Sequence, residues 1–393
     1  MSLNIGIVGA TGYVGEELAS IIESRKDLSL AFVSSFSHEG KKYKEVHSKT
    51  NSDLVLQPID QIPDKLDYVF FATKHDYSMD YVPEILKKGV KVIDLSADFR
   101  LSNEKIWQET YDSKHRAVKL LPQAVYGLPE HSAEKIKTAN LVAVPGCYPT
   151  ASILGLLPIL PYLQKNSKII LDAKSGISGA GKSSVENGLE EDIKENFKSY
   201  NVGFHRHQPE IRDFLKIEFN LDHEIIFIPH LLPLFRGEYV TLYCEVTKND
   251  LNLNDLYENY YESHKLVRIK EKGEIAEIKD FLKIEFGLDH EIIFIPHLLP
   301  IFRGEYVTLY CEVTQNDLNL NELYESYYEK HRLVRIKQKG EIAEIKDVIN
   351  TIYCDISVSY AFQSSTIVVN SAIDNLLKGA ASQAIQCLDI MSS

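Results

Sequence analysis

Ile5-Gly6-Ile7-Val8-Gly9-Ala10-Thr11-Gly12-Tyr13-Val14-Gly15 is a short apolar strand that runs straight into a glycine turn, and residues 16–24 then carry a helical pattern. Strand, glycine turn and helix in that order are the context a dinucleotide loop requires. Glycines let the backbone approach a pyrophosphate, and the N–H groups at the helix start attract it. This reading makes Gly9, Thr11, Gly12, Tyr13, Val14 and Gly15 cofactor contacts. It predicts an α/β fold that opens with a Rossmann dinucleotide-binding domain. The second strand, residues 30–33, ends in Ser34-Ser35-Phe36-Ser37. No acidic residue stands there to hold a ribose 2′-hydroxyl. Ser34 and Ser35, with Lys41 or Lys42 nearby, suit a 2′-phosphate, so NADP(H) is expected rather than NAD. The plainer alternative is a serine turn.

Outward from that end, composition sets limits. The chain has 393 residues, 44% hydrophobic and 25% charged, enough for a large core and for two domains. A net charge of −13 gives no basic surface for a nucleic-acid partner. The apolar runs are too short to cross a bilayer, so no membrane partner is expected. Residues 1–4 lead directly into a strand pattern, with no signal peptide in view. Cys147, Cys244, Cys311, Cys354 and Cys387 form no CxxC pair. An odd, widely spaced set fits a reducing cytoplasm better than a disulfide framework.

Val144-Pro145-Gly146-Cys147-Tyr148-Pro149-Thr150 places one cysteine in a tight turn ahead of an apolar stretch, residues 151–160, that reads as a helix. Orphan N–H groups and the positive end of the dipole would face the sulfur, lower its pKa and make Cys147 a nucleophile. A buried cysteine beside a Pro/Gly turn is the bland alternative. Thiol chemistry needs a proton shuttle, and His205-Arg206-His207-Gln208-Pro209-Glu210 supplies two imidazoles before a helix that Pro209 would open. The same pair could hold a metal, but no third ligand of convincing spacing appears, so no metal is expected. A solvated histidine pair stays open beside it.

Gly176-Ile177-Ser178-Gly179-Ala180-Gly181-Lys182-Ser183 matches GxxxxGK[ST] after an apolar strand, residues 168–172. Taken literally it says P-loop NTPase. The expected partner strand ending in a metal-holding Asp is missing, with Tyr353-Cys354-Asp355 the faint candidate. Such a loop can equally line an active site and bind a phosphate through backbone donors.

Residues 214–280 and 281–347 are two copies of one 67-residue unit, identical at all but eight positions. Each copy reads as strand (224–228 in the first), strand (238–247), helix (251–264) and strand (266–269). Two copies are too few for a solenoid. One copy is therefore expected to hold the native position while the other bulges out, at a closure cost of roughly 4 kcal/mol. Extruding the first copy would cut the helix at 209–219. Copy one is thus expected to be the working copy. A catalytically dead interaction protein, made so by the duplication, is the further alternative.

Taken together, Gly9–Gly15 (GATGYVG), residues 94–101 (DLSADFRL), 126–130 (YGLPE), 145–150 (PGCYPT), 175–182 (SGISGAGK), 205–211 (HRHQPEI) and 374–386 (DNLLKGAASQAIQ) resemble the N-acetyl-γ-glutamyl-phosphate reductases, NADP-dependent enzymes of arginine biosynthesis. They run in family order across the chain outside the extra copy. The resemblance implies a dinucleotide-binding domain of residues 1–145 and 360–393. It implies a catalytic/substrate domain of residues 146–359 that carries both copies. It implies that Cys147 attacks a γ-acyl phosphate, expels phosphate and forms a thioester. Reduction by NADPH then gives a thiohemiacetal that collapses to the semialdehyde. His207 would be the proton carrier, with His205 second choice.

Ser178, Gly179 and Lys182 would lie near the nicotinamide and the substrate phosphate, and Asn375 would approach the cofactor. Arg100 and Arg236, with His205, are candidates for the substrate's anionic groups, since guanidinium pairs bidentately with phosphate or carboxylate. Arg303 duplicates Arg236, so one should be idle. The expected partners are a small acyl phosphate and further copies of the chain in a homo-oligomer. Phe36 stands where the family often has an arginine, and Ala72-Thr73-Lys74-His75 replaces its commoner proline-histidine-glycine.

Overall fold

Short strands that are apolar on both faces belong in a parallel sheet with helices on each side. The first 145 residues contain six of them: β1 (Leu3–Val8), β2 (Leu28–Ser34), β3 (Tyr68–Phe71), β4 (Lys91–Asp94), β5 (Val125–Tyr126) and β6 (Leu141–Ala143). In the computed structural model they form one sheet in the order β2-β1-β3-β4-β6-β5, each neighbour parallel. The structure describes residues 2–47, 49–165, 167–193, 198–201, 205–247, 252–261, 264, 267, 305–312, 334–335, 347–360 and 366–392. Helices α1 (Tyr13–Ser24), α2 (Tyr43–Val46), α3 (Ser78–Lys87), α4 (Glu104–Tyr111) and α5 (Pro129–Thr138) link the strands. The chain leaves β1 toward β2 and returns to β3 on the other side. That reversal opens the crevice beyond the strand ends where such sheets take ligands.

Helix α6 (Cys147–Leu156) begins the second half. It starts earlier than the apolar run suggested. Residues Leu157–Tyr162 tighten into a 3-10 turn, because Pro158 and Pro161 cannot supply α-helical N–H groups. Every side chain from Tyr148 to Leu156 is buried, the mark of a helix enclosed on all sides. It packs on the mixed eight-stranded sheet built from β7 (Lys168–Ser175), β8 (Lys198–Ser199), β9 (Glu224–Leu231), β10 (Glu238–Cys244), β11 (Glu305–Glu312), β12 (Val334–Arg335), β13 (Cys354–Tyr360) and β14 (Thr366–Ile373). Their order is β12-β13-β14-β11-β10-β7-β9-β8. Ile153, Leu171, Phe227, Leu242 and Tyr257 share one core beneath it, each worth about 1.5–3 kcal/mol of apolar burial. The remaining helices are α7 (Lys182–Ser184), α8 (Glu190–Ile193), α9 (His207–Phe219), α10 (Leu253–Tyr261) and α11 (Ser382–Met391). Helix α11 returns to the first sheet, packing on α5 and β4.

The duplicated unit corrects one expectation. The sheet absorbs strands of both copies instead of extruding one. β10 and β11 are the same segment of the two copies, and they lie side by side, parallel and in register from Tyr239↔Tyr306 to Cys244↔Cys311. β11 then pairs antiparallel with β14 along its full length, so its backbone groups are satisfied on both edges. Copy one supplies β9, β10 and α10, and α9 is uncut. Among the described residues copy two supplies β11 and β12. Arg303, the first copy's 266–269 strand apart from Val267, and most of copy two lie outside the described residues.

The NTPase reading fails on topology. After β7 the Gly176–Ser183 segment makes a 3-10 turn, and the helical stretch that starts at Lys182 is broken at Asn187 and Gly188 (φ +94°) within a π-turn over Val185–Leu189 before it reaches α8. A phosphate-cradling loop would need a full helix behind it. Asp355 sits in β13, with β14, β11 and β10 between it and β7.

Candidate active site

Pro145 and Gly146 turn the chain from β6 into α6, so that Cys147 is the first residue of the helix and Gly146 its cap. The Gly146 N–H donates to Glu210 Oε1 at 2.9 Å. Glycine is needed here for space. A Cβ at Gly146 would lie 2.5 Å from His207 Nε2 and 3.0 Å from Arg100 Nη1. The imidazole is thus pressed against the turn that carries the thiol. The Cys147 Sγ donates to Glu238 Oε1 at 3.2 Å, and Gly379, just past Asn375, packs near its Cβ.

The two histidines open α9 from behind this turn. The His207 N–H donates to His205 Nδ1 at 3.3 Å, and the rings lie 4.8 Å apart. His205 stacks on Phe227, and both rings meet the edge of Tyr148. Burial pushes the His205 imidazole down to about 3, aided by the Arg206 charge. Burial, then His205, Arg206 and Arg100, drive His207 well below its ordinary value. Both rings are therefore neutral at physiological pH. Tyr148 and Tyr200 are pushed the other way by burial, with the Glu238 and Cys147 charges adding to it, and remain protonated phenols.

Arg100 and Glu210 brace the turn. Arg100 Nε donates to the Val144 carbonyl at 2.8 Å and Nη2 to that of Leu95 at 2.7 Å, while Nη1 faces Glu210 Oε2 at 3.4 Å. Glu210 Oε1 also accepts from the Tyr126 hydroxyl at 2.9 Å. The DLSADFRL segment is a buried scaffold: Asp98 accepts from the N–H groups of Asp76, Tyr77 and Met79 at the start of α3, and Ser78 Oγ bridges Asp94 and Asp98. Burial beside Asp98 pushes the Asp94 carboxyl up to about 7.

The glycine turn lies at the β1–α1 junction. Gly9 has φ +81°, and a Cβ there would meet the Ala72 carbonyl at 2.4 Å; one on Gly15 would meet the Gly9 carbonyl at 2.5 Å. The N–H groups of Gly9 and Ala10 donate to the Ser34 carbonyl, which ties the turn to the end of β2. The Thr11 and Ser35 hydroxyls share a hydrogen bond of 2.8 Å. Gly12 caps α1, and Tyr13 and Val14 begin it.

The second half reaches over this turn. Phe235 packs edge-on against Tyr13, and Arg236 Nη1 donates to Glu17 Oε1 at 2.7 Å with Asp374 Oδ1 at 3.5 Å from Nε. Arg236, expected at the substrate, thus joins the two halves; its Nη2 has no hydrogen-bond partner among the described residues. Ser178 N–H donates to the Phe235 carbonyl, which lays Ser178 and Gly179 along the same side. Asn375 Nδ2 stands 3.5 Å from Ser178 Oγ, and among the described residues its buried Oδ1 has no hydrogen-bond partner. Lys182, also expected at the substrate, lies close enough to His38, just past β2, for its charge to depress that imidazole after burial and Lys41. A glycine turn with no room for side chains at Gly9 and Gly15 is a feature a bound dinucleotide would fit.

Sequence reasoning missed Glu210 and Glu238. Each had a signal. Glu210 falls in the first turn of a helix opened by histidines, and Glu238 is a lone carboxylate at the head of the apolar strand Tyr239–Cys244. Among the described residues no helix is long and apolar enough to cross a membrane.

Known proteins are similar to this chain. The profile of the semialdehyde dehydrogenase NAD binding domain matches residues 4–139, and that of the semialdehyde dehydrogenase dimerisation domain matches residues 147–287 and again 274–375. An N-acetyl-gamma-glutamyl-phosphate reductase of Desulforudis audaxviator (strain MP104C) is 36% identical over 99% of this chain and 95% of its own length. That of Nitrosomonas eutropha is 34% identical over the same shares, and that of Ruthia magnifica 40% over 70% of this chain and 82% of its own. In fold the chain is similar to aspartate semialdehyde dehydrogenase II from Vibrio cholerae (TM-score 0.63, 16% identity, 100% of this chain and 99% of that one). The Candida albicans aspartate semialdehyde dehydrogenase with NADP is likewise similar (TM-score 0.59, 13% identity, 99% and 98%).

Proposed function

The chain belongs to the N-acetyl-gamma-glutamyl-phosphate reductases of the semialdehyde dehydrogenase family, and from that membership we propose that it reduces an N-acyl-γ-glutamyl phosphate to the semialdehyde through a thioester on Cys147, as a cytoplasmic step of arginine biosynthesis. One observation supports the site assignment above the rest. Cys147 opens a buried helix at a turn against which His207 is packed so tightly that only glycine fits between them. The helix N-terminus favours negative charge on the sulfur and on the oxygen of the reacting carbon. His207, neutral at rest, serves that oxygen as a ring N–H donor rather than as a standing imidazolium; His205 holds His207 in place.

A nicotinamide dinucleotide, held by the Gly9–Gly15 turn, Ser178, Gly179 and Asn375, supplies the hydride. NADP is the better fit. Ser35 follows β2 with no acidic residue beside it in sequence, and Lys41 and Lys182 outweigh Glu186 around His38. Lys182 then selects the cofactor's 2′-phosphate instead of the substrate. Arg100 keeps the turn in shape, and Arg236, whose Nη2 is unpartnered among the described residues, is left for a substrate anion. The relatives' dimerisation domain supports a homo-oligomer.

The deciding assay is NADP- and phosphate-dependent oxidation of the semialdehyde. Cys147→Ser is expected to abolish it, and retained turnover removes the nucleophile. Lys182→Ala is expected to raise KM for NADP while leaving NAD kinetics alone.

A further inference from the structure

The reaction needs an acceptor for the Cys147 thiol proton, and the obvious imidazoles are poorly placed by charge. A histidine that takes a proton becomes a cation. His207 and His205 are buried with Arg100 and Arg206 beside them, and both are driven toward the neutral form. A carboxylate that takes a proton becomes neutral, which burial favours. Glu238, at the head of β10 and 1% exposed, has its Oε1 3.2 Å from Sγ. A carboxylate so deeply buried at the end of an apolar strand is a place to look for chemistry. Around the pair stand Tyr148 and Tyr200, both held as phenols, and Glu210 behind Gly146. None of these offers a better base.

We propose that Glu238 is the catalytic base that takes the Cys147 thiol proton as the thioester forms. The inference rests on the reductase reading. As the C–S bond forms, the S–H proton moves to Glu238 Oε1. The C–O bond to phosphate breaks, and phosphate leaves with the electron pair and takes its own proton from water. After reduction the C–S bond breaks, and Glu238 returns the proton to sulfur. Thiol and carboxylate end as they began.

The test uses the full chain with NADP and the semialdehyde in the absence of phosphate. NADPH then forms in a single burst as the thioester builds up. Glu238→Gln keeps the shape and a hydrogen-bonding group but cannot accept the proton. Its burst is expected to slow by about 100-fold or more, with NADP affinity unchanged. The pH inflection of Cys147 alkylation by iodoacetamide is expected to move down, because a nearby negative charge has been removed. The burst of Glu238→Gln is expected to recover as rising pH ionises the thiol without a base, whereas a merely structural loss would stay slow at every pH.

Glu305→Gln, the same position in copy two, is expected to keep the parental burst. A full burst in Glu238→Gln overturns the proposal, as does a slow burst confined to Glu305→Gln. Should Glu238→Gln fail to bind NADP, Glu238→Asp decides: a partly slowed burst supports the proposal and an unaltered one overturns it. Cys147→Ser separates the two readings. A burst that survives it removes the reductase reading, whereas its loss beside a full burst in Glu238→Gln removes this inference alone.

Discussion

The Gly146 N–H and the Glu210 carboxylate meet at 2.9 Å, so the turn that presents the thiol is held by a side chain from another element. The same carboxylate oxygen takes the Tyr126 hydroxyl, and its other oxygen faces Arg100. One acidic group therefore fixes β5, the Pro145-Gly146 turn and the Arg100 guanidinium against the first turn of α9. Because His207 begins that helix, the bracing also sets the distance between imidazole and thiol.

Glu210→Ala leaves a buried guanidinium, an N–H and a hydroxyl without their acceptor. Removing one member of a buried pair costs about 3 kcal/mol. Urea unfolding should show a loss of that size, and turnover should fall as the turn relaxes. Glu210→Gln should recover part of the stability through its amide oxygen.

Gly146→Ala tests the close approach directly. Its Cβ would stand 2.5 Å from His207 Nε2, so the ring must move. Displacement of about 1 Å in such a site costs on the order of 100-fold in rate. The expected result is a low kcat with NADP affinity unchanged, because the Gly9–Gly15 turn is untouched. Equal loss of kcat and NADP binding would place the damage elsewhere.

Acid sensitivity follows from the neutral histidines. The folded His205 titrates at about 3 and His207 well below its ordinary value, whereas the unfolded chain binds both protons near pH 6.5. Below that pH the unfolded state holds more protons, so stability is intact above it and falls as pH drops toward the folded values. Each histidine contributes a slope of about 1.4 kcal/mol per pH unit. His205→Gln should flatten the loss between pH 6.5 and 5 in urea titrations. An unchanged slope would show that His205 is not protonated on unfolding.

The elements written in local pattern were legible in sequence. β1, the glycine turn and α1 could be read because strand period, glycine spacing and helix period follow one another within a single short segment. Cys147 could be read because turn and helix adjoin it. Glu210 and Glu238 could not, since their partners, Gly146 and Cys147, are far away in the chain and only packing brings them together. Arg236 was legible as a guanidinium suited to an anion, but its partner Glu17 was not, since only packing brings the two together. The fate of the duplicated strand was misjudged for a related reason. Loop-closure reasoning treats a second copy as surplus, yet an in-register twin offers its neighbour a matching row of hydrogen-bonding groups and the same alternation of faces.

That twin can be removed. Deleting residues 281–347 takes away β11 and β12 and joins Asp280 to Val348. β10 has the sequence of β11 and runs in the same direction, so it can take β14 as its antiparallel neighbour with Tyr239 in the place of Tyr306 opposite Ala372. Val267 and Arg268 can take the place of Val334 and Arg335 beside β13. The β11–β14 and β12–β13 ladders are replaced by ones of identical sequence and only the β10–β11 ladder goes, together with the long connection between those two strands. The shortened chain is therefore expected to melt no lower than the full one and to keep the Cys147–Glu238 contact, since Glu238 belongs to the copy retained. Turnover should equal or exceed that of the full chain in the NADP-linked assay. If the full chain is silent and the shortened one active, the duplication is inhibitory. A shortened chain that binds NADP but has lost turnover would show that β11 supports the site and is not a spare strand.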